Sequence, residues 1–401
     1  MLDAYRALFA LPGSRAFALA GLVARLPLPM TGIGIITLLA QRYGSYALAG
    51  AVSATFVLSY ALLSPQVSRR VDRHGQRRVL PLASAVCIAG LLLVLVCAWR
   101  DAPIWTLFIG AGLAGCMPSM SAMVRARWTA HYRGQPQLQT AYSLETVVDE
   151  LTFIAGPPLS IGLAVALFPQ AGLLAAALLL ALGVTALVGQ RATEPAPVAP
   201  DPQAGGARPV LAAPGMRWLA LLMAAMGVIV GTVDIVSVAF AGAQGRPGAA
   251  SLVLAAYALG SCVAGLVFGA LRLQTPLHRL LWWGALATAA STLPLTQAAT
   301  IAPLAGAVLL AGLAFAPTLI VAMSLVERLV PDRNLTEGMS WLLAGLNVGV
   351  AAGAALAGQV VDLYGARAGF AVALGGAAAV LALAWLAQHR LRAQPAGMAQ
   401  A

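Results

Sequence analysis

The chain has 401 residues, of which 60% are hydrophobic and only 9% charged, a composition that excludes a water-soluble globule. Its 24 basic residues, all arginine, against 13 acids give a formal charge of +11, which in a soluble chain would point to nucleic acid. Crossing about 30 Å of hydrocarbon takes about 20 apolar residues, so the length holds roughly twelve helices with short loops and little else.

The first residues, Met1 to Leu11, mix Asp3 and Arg6 with apolar side chains and end at Pro12-Gly13 without a cleavage site, as a short interfacial helix would rather than a signal peptide. Apolar runs then fall at Ser14 to Ala40, Tyr46 to Ser68, Val79 to Ala98, Ile104 to Val124, Thr140 to Leu167 and Gly172 to Val188. After a gap they resume at Trp218 to Ala241, Ala249 to Leu271, Leu280 to Leu295, Ala302 to Leu325, Gly338 to Val361 and Phe370 to Ala387. These twelve runs are too long for barrel strands and lack alternation, so each is expected to be a helix. Pro27 and Pro29 are expected to interrupt span one, and Pro118 and Pro317 to bend spans four and ten.

The segment from 190 to 216 carries six prolines and Gly205-Gly206, a composition that favours an extended linker. It separates two six-helix bundles, 1–189 and 217–401. The halves echo each other: Ala111-Gly112-Leu113-Ala114 before Pro118 matches Ala311-Gly312-Leu313-Ala314 before Pro317, and Ser143 to Gly156 lies on Ser340 to Gly353 without a gap. With the N-terminus inside, nineteen arginines, Arg125 and Arg127 among them, fall in inner segments, and only Arg42, Arg100, Arg246 and Arg367 in outer loops. This bias places both termini and the linker in the cytoplasm, and leaves Arg25 inside a span.

Charges at bilayer depth are costly, so the few present are candidate functional groups. Asp149 and Arg25 each lie ten residues into their spans, about 15 Å deep, which suggests a pair across spans one and five. Glu145 and Asp149 share a helix face, where like charge and removal from water favour one of them taking a proton. Proton coupling is therefore assigned to Asp149, Glu150, Glu145 and Arg25, with a structural ion pair as the alternative. Asp234 in span seven has no basic partner nearby in sequence and is a candidate contact for a cationic substrate or a proton. Asn347, which the repeat register sets opposite Glu150, and the aromatics Phe315 and Trp341 complete the expected substrate cavity, with Phe240 and Tyr257 as further aromatic candidates. Gly345, Gly349 and Gly353 mark a close packing seam. The four cysteines lie singly in apolar runs, and no metal cluster, phosphate loop or nucleophile–base pair is present in the sequence, so neither a cofactor nor an enzyme is expected.

Between spans two and three runs Ser68-Arg69-Arg70-Val71-Asp72-Arg73-His74-Gly75-Gln76-Arg77-Arg78. This resembles the G-x-L-a-D-R-x-G-R-[KR] loop of the major facilitator superfamily, with Ser68 in place of the leading glycine and Gln76 in place of the first arginine of the final pair. Independently of the resemblance, Gly75 suits a tight turn and Asp72 can accept from the free N–H groups of a helix N-terminus. The resemblance implies that Asp72, Arg73, Gly75, Arg77 and Arg78 lock the outward-facing state through the start of span eleven, near Glu337. Ala155-Gly156-Pro157-Pro158 in span five is similar to the Gly-Pro element of the drug:proton antiporters, giving Gly156 and Pro157, with Pro118 and Pro317, the expected role of bends at a gate. Span four, around Leu107 to Gly115, departs from many of these exporters in lacking an intramembrane arginine. The family implies an all-α, twelve-span monomer in a bacterial inner membrane, exporting a drug, sugar or secreted metabolite such as a siderophore against proton flow. Proton symport or facilitated uptake of a small solute is the alternative; nucleic acid is not an expected partner.

Overall fold

The computed structural model describes residues 2–43, 46–196, 210–213, 215–246, 249–271 and 275–392. All regular elements among them are helices. In the N-terminal half these are α1 (Leu2–Leu8), α2 (Ser14–Arg25), α3 (Pro27–Tyr43), α4 (Tyr46–His74), α5 (Gln76–Trp99), α6 (Trp105–Ala114), α7 (Met120–Tyr132), α8 (Gln137–Ala166) and α9 (Ala171–Gly189). The C-terminal half holds α10 (Met216–Ala243), α11 (Ala249–Ala270), α12 (Leu277–Gln297), α13 (Ile301–Leu329), α14 (Leu335–Tyr364) and α15 (Ala366–Arg392). Counting α2 with α3 and α6 with α7 as single broken spans gives six spans per half. Ten spans are long and apolar enough to cross a membrane; the others are the broken span α6–α7 and α12, which opens on His278 and Arg279. Much of the connection between halves, 197–209 and 214 with Arg208, lies outside the described residues, as does Arg272.

The two prolines divide span one where expected, at Leu26. Pro157, Pro158 and Pro317 sit inside continuous helices, as membrane helices tolerate when neighbouring groups take up the freed carbonyls. Span four is the correction. Residues 115–119, including Pro118, leave the helical path, and the helix resumes at Met120 and runs to Tyr132 rather than ending at Val124. Arg125 and Arg127 thus belong to a helix and are both 0% exposed. They are not loop charges, and the topological count loses them.

Packing repeats between the halves. Span one lies on spans five and six as span seven lies on spans eleven and twelve, and spans three and four pack as do nine and ten. The register of Ser143–Gly156 on Ser340–Gly353 is reproduced in space, because a Cβ on Gly156 would lie 2.6 Å from the Pro29 ring of span one while one on Gly353 would meet the Val228 backbone of span seven. Gly345, Gly349 and Gly353 on α14 press against the Ala220, Ala224 and Val228 carbonyls of α10, and Gly227 and Gly231 of α10 press back on Leu346 and Val350. Small residues on both sides let the two backbones touch.

The halves meet on the side that carries α1, the linker and the end of α15. Asp72 accepts backbone N–H bonds from Thr336 at 3.3 Å and Glu337 at 2.9 Å, the second and third residues of α14. It supplies the cap that Asn334, the residue before that helix, does not provide. Arg69 approaches the Glu337 carboxylate at 3.8 Å, and Ser68 pairs with Ser340 at 2.6 Å. Gly75 turns the chain at φ 85°. At the pseudo-symmetric contact, Gln139 donates to the Phe268 and Leu271 carbonyls and Thr140 to Gly269, all at the end of α11. Burial pushes the Tyr5 hydroxyl up to about 12, so it stays a donor to Leu266. Arg133 reaches Glu327 at 3.3 Å and also pairs with Asp332. On the opposite side, the polar contacts found among the described residues, Arg42 with Asp101, Gln244 with Ala299 and Arg367 with Ala298, each stay within one half.

Two predictions follow from these contacts. Gly349→Ala places a methyl group on the Ala224 carbonyl and is expected to cost about 1–3 kcal/mol, whereas Gly358→Ala, with nothing within 4 Å, should leave the thermal unfolding midpoint in detergent unchanged or raised. A carboxylate at a helix N-terminus contributes up to about 2 kcal/mol, so Asp72→Asn should open the linker side. A thiol introduced by Ser340→Cys, with the four native cysteines replaced, is expected to react with a water-soluble maleimide about tenfold faster when Asp72→Asn is present; equal rates would show that the cap does not hold the closure.

Candidate functional site

Arg25 ends α2, immediately before the break at Leu26, where the helix carbonyls favour a cation. It pairs with Glu145 on α8, and its other terminal nitrogen lies 3.3 Å from Asp149, one turn further along. Asp149 also receives Arg125 of α7 at 2.8 Å and the Ser121 hydroxyl at 2.5 Å. The Trp128 indole donates to the other Glu145 oxygen at 2.6 Å. Arg25, Glu145 and Arg125 are 5%, 2% and 0% exposed, and Asp149 is the partly exposed member. Two guanidiniums thus alternate with two carboxylates, so the group is formally neutral and each like-charge neighbour is bridged.

This arrangement corrects three expectations. The single arginine expected opposite the carboxylates is a pair, and span four does carry an intramembrane arginine, displaced beyond its break. The repulsion expected between Glu145 and Asp149 is relieved by the guanidiniums between them. The signal in the sequence was the break itself: five non-helical residues shorten span four unless the helix continues through Val124 and the arginines. The network is also incomplete, since Nε and Nη1 of both Arg25 and Arg125 are buried without a hydrogen-bond partner in the protein.

Glu150 points elsewhere. It accepts a 3.0 Å hydrogen bond from Ser261 on α11, across the interface between halves. Asp234 of α10 and Tyr257 of α11 lie within its electrostatic reach, and Phe315 of α13 stacks obliquely on Tyr257 at 5.9 Å. Asp234 is exposed although it lies mid-helix. The remaining expected cavity residues are more peripheral. Asn347 spends its amide on the Leu343 carbonyl of its own helix, and Trp341 faces Glu337 at the closure. Phe240 is buried. The repeat register sets Leu342 and Leu346 opposite Glu145 and Asp149, so the charged network belongs to one half alone.

In the loop, Asp72 and Gly75 act at the closure, and Arg73 lies in the field of Glu337. Arg77 donates its backbone N–H to Glu194 at 2.8 Å, and Arg78 is exposed. Gln76 is buried; it donates to the Met123 carbonyl and accepts from Arg127 at 2.8 Å. Arg127 in turn donates to the Leu187 and Gln190 carbonyls and to Thr193, completing the end of α9. A neutral acceptor at 76 is required here, because an arginine would confront Arg127 out of water. Among the described residues no group of three or more metal-ligating side chains occurs.

Solved structures similar to this chain share its fold. A bacterial homologue of the iron transporter ferroportin in an outward-facing state superposes with a TM-score of 0.76 at 17% identity, covering 95% of this chain and 100% of that one. The human organic anion transporter TETRAN gives a TM-score of 0.68 at 16% identity, covering 94% and 100%. An E. coli fucose:proton symporter gives 0.69 at 14%, covering 92% and 98%. No curated protein sequence matches the chain. The family model of the Major Facilitator Superfamily matches twice, over residues 17–245 and 218–399. Two tandem matches on two alike halves, folded as twelve spans and closed by a loop that caps the opposite half, make this multi-pass membrane protein a member of the Major Facilitator Superfamily.

Proposed function

We propose that the chain is a proton-coupled exporter of a small molecule, working by alternating access between its two halves. The observation that carries this is the charged chain Glu145–Arg25–Asp149–Arg125, of which Asp149 is the partly exposed member. A proton taken by Asp149 removes the charge that holds Arg125 and half of Arg25, freeing guanidinium groups already short of partners. Burying an unpaired guanidinium is costly, so the helices carrying them rearrange. Proton arrival is thereby converted into a change of packing between spans one, four and five. The Gly-Pro element supports export through its likeness to that of the drug:proton antiporters, and Gly156 seats span five directly on the Pro29 ring beside the break of span one.

In this reading 1–189 and 217–401 are the moving bodies, 190–216 is a cytoplasmic linker, and the chain works as a monomer in a bacterial inner membrane with both termini inside. The closed linker side makes the present conformer outward-facing.

Comparison of drug resistance and secreted metabolites between cells overexpressing and lacking the chain identifies the exported compound. In proteoliposomes loaded with it, Asp149→Asn is expected to lower gradient-driven flux by about tenfold or more, while exchange without a gradient persists. Undiminished gradient-driven flux in Asp149→Asn would remove the coupling role. Glu145→Gln removes one of the two carboxylates that hold Arg25 and leaves the buried group with an uncompensated positive charge, so a loss of about 3–5 kcal/mol in stability is expected, read as a lower unfolding midpoint.

A further inference from the structure

We propose that Glu150 and Asp234, one from each half, form with Tyr257 and Ser261 a binding site for an organic cation bearing an aromatic or apolar body. The proposal deepens the export reading by naming its substrate class.

Three helices bring the site together. Glu150 lies about 20 Å along α8 from the linker side and Asp234 about 27 Å along α10. Tyr257 and Ser261 stand one turn apart on α11, hence on one face. Ser261 occupies one Glu150 oxygen. Among the described residues no arginine pairs with either Glu150 or Asp234, in contrast with Glu145 and Asp149, which are both neutralised. The Tyr257 hydroxyl supplies the independent observation. Its oxygen is buried, feels both carboxylates and makes no hydrogen bond. A tyrosine hydroxyl beside a carboxylate ordinarily donates to it. Here the hydroxyl stays unspent although both carboxylates lie within its electrostatic reach. A cationic group held among these side chains meets two anionic carboxylates and a hydroxyl lone pair, and relieves the repulsion between Glu150 and Asp234.

The surroundings define the rest of the ligand. The tilted rings of Tyr257 and Phe315, 5.9 Å apart, form an aromatic wall beside the carboxylates, suited to a flat apolar body and to a positive charge over a ring face. Anions are opposed by two uncompensated carboxylates. Because one carboxylate comes from each half, the bound cation bridges the bodies that move, which is where a substrate has to sit if its binding is to alter their relation.

The test uses rhodamine 6G, a flat permanent cation, and fluorescein, an anion on the same ring system. Binding to the full chain in lipid nanodiscs is followed by fluorescence anisotropy, with empty nanodiscs subtracted. The wild-type chain is expected to bind rhodamine 6G and not fluorescein. Glu150→Gln and Asp234→Asn should each weaken rhodamine 6G by about tenfold or more, and Tyr257→Phe by a smaller factor. Asp234→Glu, which keeps the charge, should retain binding, separating loss of charge from loss of fold. Absence of rhodamine 6G binding to the wild type, equal binding of fluorescein, or affinity within about twofold of wild type in both neutral variants would overturn the proposal. The measurement is made at equilibrium without a gradient. Failure of proton-driven export would therefore leave its result standing, and its own failure would leave export of another substrate class open.

Discussion

An unpaired charge in hydrocarbon is the most expensive thing this chain could contain, and its architecture follows from how each such charge is matched. Arg25 and Arg125 are balanced by Glu145 and Asp149. Arg127 makes no ion pair among the described residues, though Glu194 lies in its field, and is satisfied by the carbonyls that end α9 and by the side chains of Gln76 and Thr193. Asp72 takes the N–H groups of a helix in the other half. Each solution ties two or more spans together, so the few polar groups add partner choice to what the small-residue seams already set. Glu150 and Asp234 pair with no arginine among the described residues, and Asp234 lies within the electrostatic reach of Glu150 from the opposite half.

The two closing contacts are related by the internal repeat and opposite in polarity. Between spans two and eleven a carboxylate meets a helix N-terminus. Between spans five and eight, amide and hydroxyl donors from the start of α8 meet the carbonyls at the end of α11. The first contact depends on charge and the second does not. The repeat shares the geometry of the closure but only one of the two contacts is ionisable, just as the arginine and carboxylate chain of the N-terminal half has Leu342 and Leu346 at the matched positions of the other.

The fold was legible because membrane crossing constrains composition over windows of twenty residues, and that signal survives without any knowledge of packing. The capping role of Asp72 was legible too, since an acid beside a turn glycine at a helix end admits few uses. Arg125 and Arg127 were not. An Arg-x-Arg pair near the end of an apolar run looks the same whether it lies in a loop or in a helix that continues past a break. Glu150 and Asp149 are adjacent in sequence but about 100° apart around the helix, so their different partners follow from which helices α8 crosses. Gln76 departs from the family loop for a reason visible only when Arg127 is seen beside it.

The glycine seam between α10 and α14 has a mechanical consequence. Backbones in contact along five glycines leave no compliant side-chain layer between them, so the two helices form a single stiff lever. One arm ends at Thr336 and Glu337, held by Asp72; Asp234 rides on the other. A displacement of the held end therefore moves α10 and the carboxylate it carries as one body.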